Sequence, residues 1–256
     1  MRIEFSTPTI FAHRGSSLEA PENTLAAFQL AVDQGAHGIE LDAQLTADGQ
    51  VVVIHDHSVD RTTNGTGLVA ELSLEEIKTL DAGSHLNESF RNETIPTLDE
   101  VFENFGKQIL INVELKNDTA PFNKLAEKVA QVVSKHKLES QLLFSSFNPF
   151  ALRSIKHHLP DSYCGQLTIP GIYGSILSYL DRIVVKCEAL HPASKAVTSE
   201  LIQEQHEAGK RIHAYTVNHP MEMLKLFKLG IDGIFTDNPK LALQVLATFE
   251  STNSQS

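Results

Sequence analysis

Apolar residues gather in short runs centred near residues 10, 39, 110, 143, 164, 188, 214 and 234. Between most of these runs the apolar positions recur at helical spacing, as in Leu25, Phe28 and Val32, or Leu125, Val129, Val132 and Val133. Apolar strands alternating with amphipathic helices predict parallel β/α units, in which each helix covers the sheet on its way to the next strand. The punctuation agrees. Pro21-Glu22-Asn23-Thr24 opens a helix that Gly35 closes, Thr97 and Glu100 have capping-box spacing, and Asn148-Pro149, Asn218-His219-Pro220 and Asp237-Asn238-Pro239 each open a later helix. Strands are expected at about 9–12, 109–113, 142–147, 163–168, 183–190, 211–217 and 233–236, with a weakly patterned segment near 171–181.

One stretch departs from the alternation. The run Gly38-Ile39-Glu40-Leu41-Asp42 is followed by Ala47-Asp48-Gly49-Gln50 and then by Val51-Val52-Val53-Ile54-His55-Asp56, which reads as a hairpin. A two-residue Asp48-Gly49 turn would set Ala47 against Gln50, and counting back would set His55 opposite Asp42. With the return arm there are nine strands; without it there are eight. Eight staves suit a closed (β/α)8 TIM-type barrel, with the return arm at the mouth. Residues 57–96 are polar and contain one capping box, Ser73 and Glu76, so they read as a small insertion after the second strand. The expected organisation is one barrel domain over 1–250, an inserted segment 57–96 capping its mouth, and a frayed tail over 251–256. An open doubly wound sheet is the alternative, but no glycine-rich phosphate loop supports it.

Composition narrows the partners. The net charge of −11 and the lack of a basic stripe argue against nucleic acid and against stable association with an anionic membrane. Two cysteines, Cys164 and Cys187, give neither a disulfide framework nor metal spacing. No signal peptide or membrane-spanning run is evident, and a cytoplasmic setting is expected.

The polar residues at the ends of the first three staves carry the chemistry: His13, Arg14, Glu40, Asp42, Glu114 and Lys116. Residues two apart on a strand share a face, so Glu40 and Asp42 form a ready pair of oxygen ligands. With Glu114 they make three carboxylates that repel one another unless a positive charge intervenes. One divalent cation, Mg²⁺ or Ca²⁺ with Mn²⁺ also admissible, would serve. Pairing with Arg14 and Lys116 alone is the plainer alternative. A metal beside Arg14 and Lys116 makes a phosphate pocket, and His13 and His55 suit general acid–base work at a phosphodiester.

His13-Arg14-Gly15, Pro21-Glu22-Asn23-Thr24, Glu40-Leu41-Asp42, His55-Asp56, Glu114-Leu115-Lys116, Ser146-Phe147 and Thr236-Asp237 follow one another in the order of the glycerophosphodiester phosphodiesterase family, which the chain resembles from about residue 9 to 245. The resemblance implies a TIM-type barrel with an insertion after the second strand. It implies hydrolysis of a small-molecule glycerophosphodiester to sn-glycerol 3-phosphate and an alcohol. It also implies a divalent cation on Glu40, Asp42 and Glu114, with His13 and His55 as the acid–base pair, and a cyclic phosphate formed by attack of the glycerol 2-hydroxyl. Tyr215-Thr216-Val217-Asn218 resembles the family's Trp-Thr-Val-Asn, but this chain has no tryptophan. Phe147 and Tyr215 are candidates for the glycerol side of the pocket, with rim packing as the alternative. The oligomeric state stays open, a homodimer included.

Rival readings are weaker. His55-Asp56-His57 resembles the His-x-His of barrel amidohydrolases, but those place it after the first strand, where His13-Arg14 stands here. A non-catalytic phosphate-binding barrel would lack the histidines or the carboxylates. A phospholipid-cleaving barrel would show apolar or basic docking clusters, and the insertion shows none. Among the other histidines, His191 follows a strand and is an outside candidate for the mouth; His136, His157, His158 and His206 are expected on exposed helix faces.

Overall fold

A computed structural model describes residues 3, 5–117, 120, 122–138 and 141–253. Its strands are β1 (Thr9–Ala12), β2 (Gly38–Leu45), β3 (Val51–Val53), β4 (Leu110–Leu115), β5 (Leu142–Ser146), β6 (Tyr163–Thr168), β7 (Ala189–Pro192), β8 (Arg211–Ala214) and β9 (Gly233–Thr236). The hydrogen-bonded order is β1-β9-β8-β7-β6-β5-β4-β2-β3, and an additional β1–β2 pairing closes the ring. All neighbours are parallel except β2 and β3. Eight parallel staves thus form a closed (β/α)8 barrel. β3 lies outside the ring, because Val53 N–H donates to the Pro96 carbonyl at 2.9 Å and Val52 bridges Thr97.

The pleat explains where side chains go. Along β2, Ile39, Leu41 and Ala43 pack outward with Phe28, Val101 and Phe102 under α1 (Leu25–Asp33) and α3 (Leu98–Phe105), whereas α2 (Leu74–Lys78) belongs to the stretch between β3 and α3. Glu40 and Asp42 alternate with them and so face the lumen. β4 repeats this, with Ile111, Val113 and Leu115 outward and Asn112 and Glu114 inward. The lower lumen is filled by Phe11, Leu143 and Phe235, with His191 and His213 between them. Two strand glycines make room there: a Cβ on Gly38 would lie 2.5 Å from the Phe11 ring, and one on Gly165 would lie 2.3 Å from the His191 ring. The floor is packed, so chemistry is confined to the C-terminal mouth.

The helices begin where the punctuation expects. Ser73 and Glu76 form a full capping box on α2, as do Thr97 and Glu100 on α3. The inserted stretch holds α2 and two short 3₁₀ turns, and it builds its own apolar cluster from Val59, Val69, Ile77, Ala82 and Ile95 against Val52 and Ile54 of the return arm.

Three local expectations fail. The hairpin loop has three residues, not two: Gly49 takes φ +74, its N–H donates to the Thr46 carbonyl, and Thr46 faces Gln50. The register is therefore Ala43↔Val53 and Gln44↔Val52, which puts Ile54 beside Asp42, with the Ile54 N–H donating to the Asp42 carbonyl at 2.8 Å. His55 is not the cross-strand partner of Asp42. Second, 183–188 is not strand. After α4 (Leu125–His136) and α5 (Pro149–His158), α6 spans Ile172–Leu180, and a π-helical turn follows over Asp181–Val185. The β-branched Ile183-Val184-Val185 mimics a strand, but buried Asp181 overrides it, its Oδ1 accepting from the Cys187 N–H at 2.9 Å and its backbone carbonyl from the Lys186 N–H at 2.8 Å. Third, β8 ends at Ala214, short of Val217. Past α7 (Ser199–Glu207) and α8 (Pro220–Lys228), the last helix α9 (Pro239–Asn253) continues through Ser251; the rest of the expected tail, 254–256, lies outside the described residues.

Candidate active site

Each functional side chain follows from a strand end. Phe11 faces the lumen, so His13, two residues on, faces the mouth. The chain turns there through Arg14 (φ +57) and Gly15 (φ +83), and a Cβ on Gly15 would meet the Ala27 backbone at 2.6 Å. This turn aims the Arg14 N–H at Glu40 Oε2, 2.9 Å away. Asn23, also left-handed at φ +58, donates from Nδ2 to Asp42 Oδ2 at 2.8 Å.

Glu40, Asp42 and Glu114 converge so that one oxygen from each lies within 4.8 Å of the others. Arg14 Nε stands 3.4 Å from Asp42, and Lys116 Nζ stands 3.0 Å from Glu114 and 3.9 Å from Asp42. The two cations thus meet part of the demand. They do not meet all of it: Glu40 Oε1 is buried and has no partner among the described residues. Burial, then the neighbouring Asp42 and Glu114, pushes the Glu40 carboxyl well above its ordinary range; burial and Asp42 also raise Glu114. Three hard oxygen donors, one of them orphaned, fit a Mg²⁺ or Ca²⁺ ion better than zinc.

The two histidines are each backed by a carboxylate. His13 Nδ1 lies 2.6 Å from Asp237 Oδ1, and His55 Nδ1 lies 2.7 Å from Asp56 Oδ1. Burial raises Asp237, but the hydrogen bonds from His13, Asn218 and Ser17 outweigh it and hold the acid below its usual range. His55 is held below its ordinary value, chiefly by burial. Its Nε2 is 3.3 Å from Lys116 Nζ. Although His55 does not pair across the hairpin, Gln44 sets its loop: Nε2 donates to the carbonyls of Ile54, His55 and Asp56 at 2.8, 3.0 and 2.7 Å. Beside these groups opens a cavity of about 190 Å³, lined by His13, Arg14, Glu40, His55, Glu114 and Lys116 on one side and by Phe147 and Tyr215 on the other. The rings of Phe147 and Tyr215 meet edge to face at 6.1 Å, and the Tyr215 hydroxyl donates to the Thr168 carbonyl at 2.9 Å.

Comparison with known proteins decides the family. Residues 13–241 match the model of the glycerophosphoryl diester phosphodiesterase family. The chain belongs to this family. A glycerophosphodiester phosphodiesterase of Caldanaerobacter subterraneus is 40% identical over 238 residues, covering 93% of this chain and 97% of the relative. One from Bacillus altitudinis is 39% identical over 240 residues, covering 92% and 97%. The solved structure of an Oleispira antarctica phosphodiesterase in complex with the product sn-glycerol-3-phosphate superposes with a TM-score of 0.84 at 36% identity, covering 94% of this chain and 97% of that one.

Within this glycerophosphodiester phosphodiesterase barrel, the sequence-derived residues His13, Arg14, Glu40, His55, Glu114, Lys116, Phe147 and Tyr215 share one cavity, and Asp42 lies buried beneath it. His191 is not at the mouth. It is fully buried in the lower lumen, with Nε2 3.1 Å from His213 Nδ1. His57 Nδ1 is 3.2 Å from Gln44 Oε1 rather than among the three clustered carboxylates. His136 is only partly exposed and bonds Asp99 at 2.8 Å. Residue patterns assign no site role to Asp56, Asp237, Glu22, Asn23, Gln44 or Arg61. The first two follow their histidine or threonine directly in the motifs, which is a usable signal. Arg61 has none.

Proposed function

We propose that the chain hydrolyses glycerophosphodiesters to sn-glycerol 3-phosphate and an alcohol, with His13 and His55 as general acid and base and one divalent cation, Mg²⁺ or Ca²⁺, on Glu40, Asp42 and Glu114. The observation that carries this reading is the acidic trio with an unpartnered Glu40 oxygen, flanked by two carboxylate-backed histidines and by Arg14 and Lys116. A cation bound there would neutralise the trio and draw electron density from the phosphoryl oxygens. Arg14 and Lys116 hold the phosphate and stabilise the charge that develops on it. Asp237 and Asp56 occupy the Nδ1 side of each imidazole, which turns Nε2 toward the phosphate, His55 Nε2 beside Lys116 Nζ at 3.3 Å. One histidine takes the proton of the attacking hydroxyl as its oxygen bonds to phosphorus. The other protonates the alcohol oxygen as that P–O bond breaks; where the attacking group is the glycerol 2-hydroxyl, water then adds to phosphorus and opens the cyclic phosphate, the two histidines exchanging roles, to give glycerol 3-phosphate.

The cavity suits a glycerol phosphate moiety, with Phe147 and Tyr215 against its carbon skeleton. The alcohol then lies toward the inserted segment, which on this reading caps the mouth as part of the single barrel domain. No helix of the described residues is long and apolar enough to cross a membrane. Cys164 and Cys187 are buried and carry no disulfide, which fits a reducing, cytoplasmic setting.

The test is release of glycerol 3-phosphate from glycerophosphocholine, -ethanolamine, -glycerol and -inositol. EDTA should abolish release and Mg²⁺, Mn²⁺ or Ca²⁺ restore it. His13→Ala and His55→Ala should each lower turnover by about 10²–10⁴-fold. Indifference to chelation removes the cation from the reading, and near-normal turnover in either variant removes the acid–base assignment.

A further inference from the structure

Arg61 lies in the inserted segment, outside the cavity, with its side chain 48% exposed. Its guanidinium nevertheless grips two carboxylates at once. Nε donates to Asp56 Oδ2 at 2.6 Å and Nη2 to Asp56 Oδ1 at 3.2 Å. Nη1 donates to Glu22 Oε2 at 2.8 Å and Nη2 to Glu22 Oε1 at 2.8 Å. Glu22 is itself anchored, because Oε1 also accepts from Arg14 Nη1 at 2.8 Å. Asp56 Oδ1 is the atom that faces His55 Nδ1.

We propose that Arg61 is a positioning residue for His55: its fork fixes the plane of the Asp56 carboxylate, and Asp56 in turn fixes the tautomer and orientation of the imidazole. A lone Asp beside a histidine can rotate about its terminal torsion, which is broad and roughly two-fold. A guanidinium that holds both oxygens removes that freedom, and a second carboxylate behind it removes the freedom of the arginine. The pairs cost side-chain entropy to order at half-exposed Arg61, and their bidentate geometry fixes the direction in which Asp56 Oδ1 faces His55 Nδ1. The inserted segment then completes the active site by holding His55.

This inference rests on the assignment of His55 as an acid–base group, so the experiment separates the two. Arg61→Ala is measured in the wild-type background and in His55→Ala, at saturating cation, with thermal unfolding alongside. Arg61→Gln replaces Arg61→Ala if the latter does not fold. The expected result is a fall in kcat of about 10–100-fold, the range for partners that orient a reacting group, with Tm moved by no more than a few degrees. In the His55→Ala background the same change should cost less than about twofold, since the group it positions is gone. Wild-type kcat in the Arg61 variants while His55→Ala is inactive overturns this inference alone. A full repeat of the loss in the His55→Ala background also overturns it. Near-normal turnover in His55→Ala overturns the acid–base reading instead.

Discussion

Glu40 concentrates the unmet demand of the site. It is 3% exposed, one oxygen accepts from the Arg14 N–H, and the other accepts from nothing among the described residues. Asp42 and Glu114 each have a cation at hand, so Glu40 is the carboxylate whose stability most needs an added positive charge. Glu40→Gln keeps the shape and removes the charge. It should weaken Ca²⁺ or Mg²⁺ binding, measured calorimetrically without substrate, by at least about tenfold; unchanged affinity would place the ion elsewhere. This residue was legible beforehand, because i and i+2 on a strand must share a face. The location of His55 was not. It depends on whether the hairpin loop has two or three residues, and Ala47-Asp48-Gly49 permits both until Thr46 is seen to accept from the Gly49 N–H.

At the scale of elements, the inserted segment shows how a polar stretch can hold a fixed shape. Asp81 organises its second half: Oδ1 accepts from the Gly83 and Ser84 N–H groups at 2.9 and 2.8 Å, and Oδ2 from the Ser84 hydroxyl at 2.7 Å and the Asn92 N–H at 3.2 Å. The Ser84 and Gly83 bonds hold its carboxyl well below the ordinary value of 3.8. A depressed folded-state pKa contributes stability that is present above the unfolded value and lost as pH falls through the folded one. Protection of the Gly83, Ser84 and Asn92 amides, relative to the intrinsic exchange rate at each pH, should therefore fall below about pH 4 in the wild type. In Asp81→Asn that protection should already be low at about pH 7 and change little below it. Equal protection in the two proteins would show that Asp81 does not organise this loop. The capping boxes of α2 and α3 were readable because a cap is a local bond three residues long. The turn over Asp181–Val185 was not, because Asp181 is bound by backbone groups of Lys186 and Cys187 in a way that β-propensity does not report.

For the whole molecule, the closed ring forces a full lumen, and this chain fills part of it with a buried histidine pair. Burial lowers His191 to about 3 and His213 well below 6.5, so both are neutral in the folded barrel. Below about 6.5 the unfolded chain binds protons that the folded one refuses. The sign follows: stability from the pair is complete above that pH and is lost progressively as pH falls toward 3. Urea midpoints taken from pH 7 to 5 should decline, and His213→Asn should start lower but decline less; parallel slopes would acquit the pair. Alternation of strand and helix, with Gly, Pro and cap residues between, sufficed to predict the eight-stave barrel and to place His13, Glu40, Asp42 and Glu114 at its strand ends. Those features follow from local geometry that repeats every two or 3.6 residues. Contacts between residues far apart in the chain decided the rest. Asp237 reaches His13, Arg61 reaches Glu22, and His213 finds His191 only once the ring has closed. No period along the chain records a distance that closure creates.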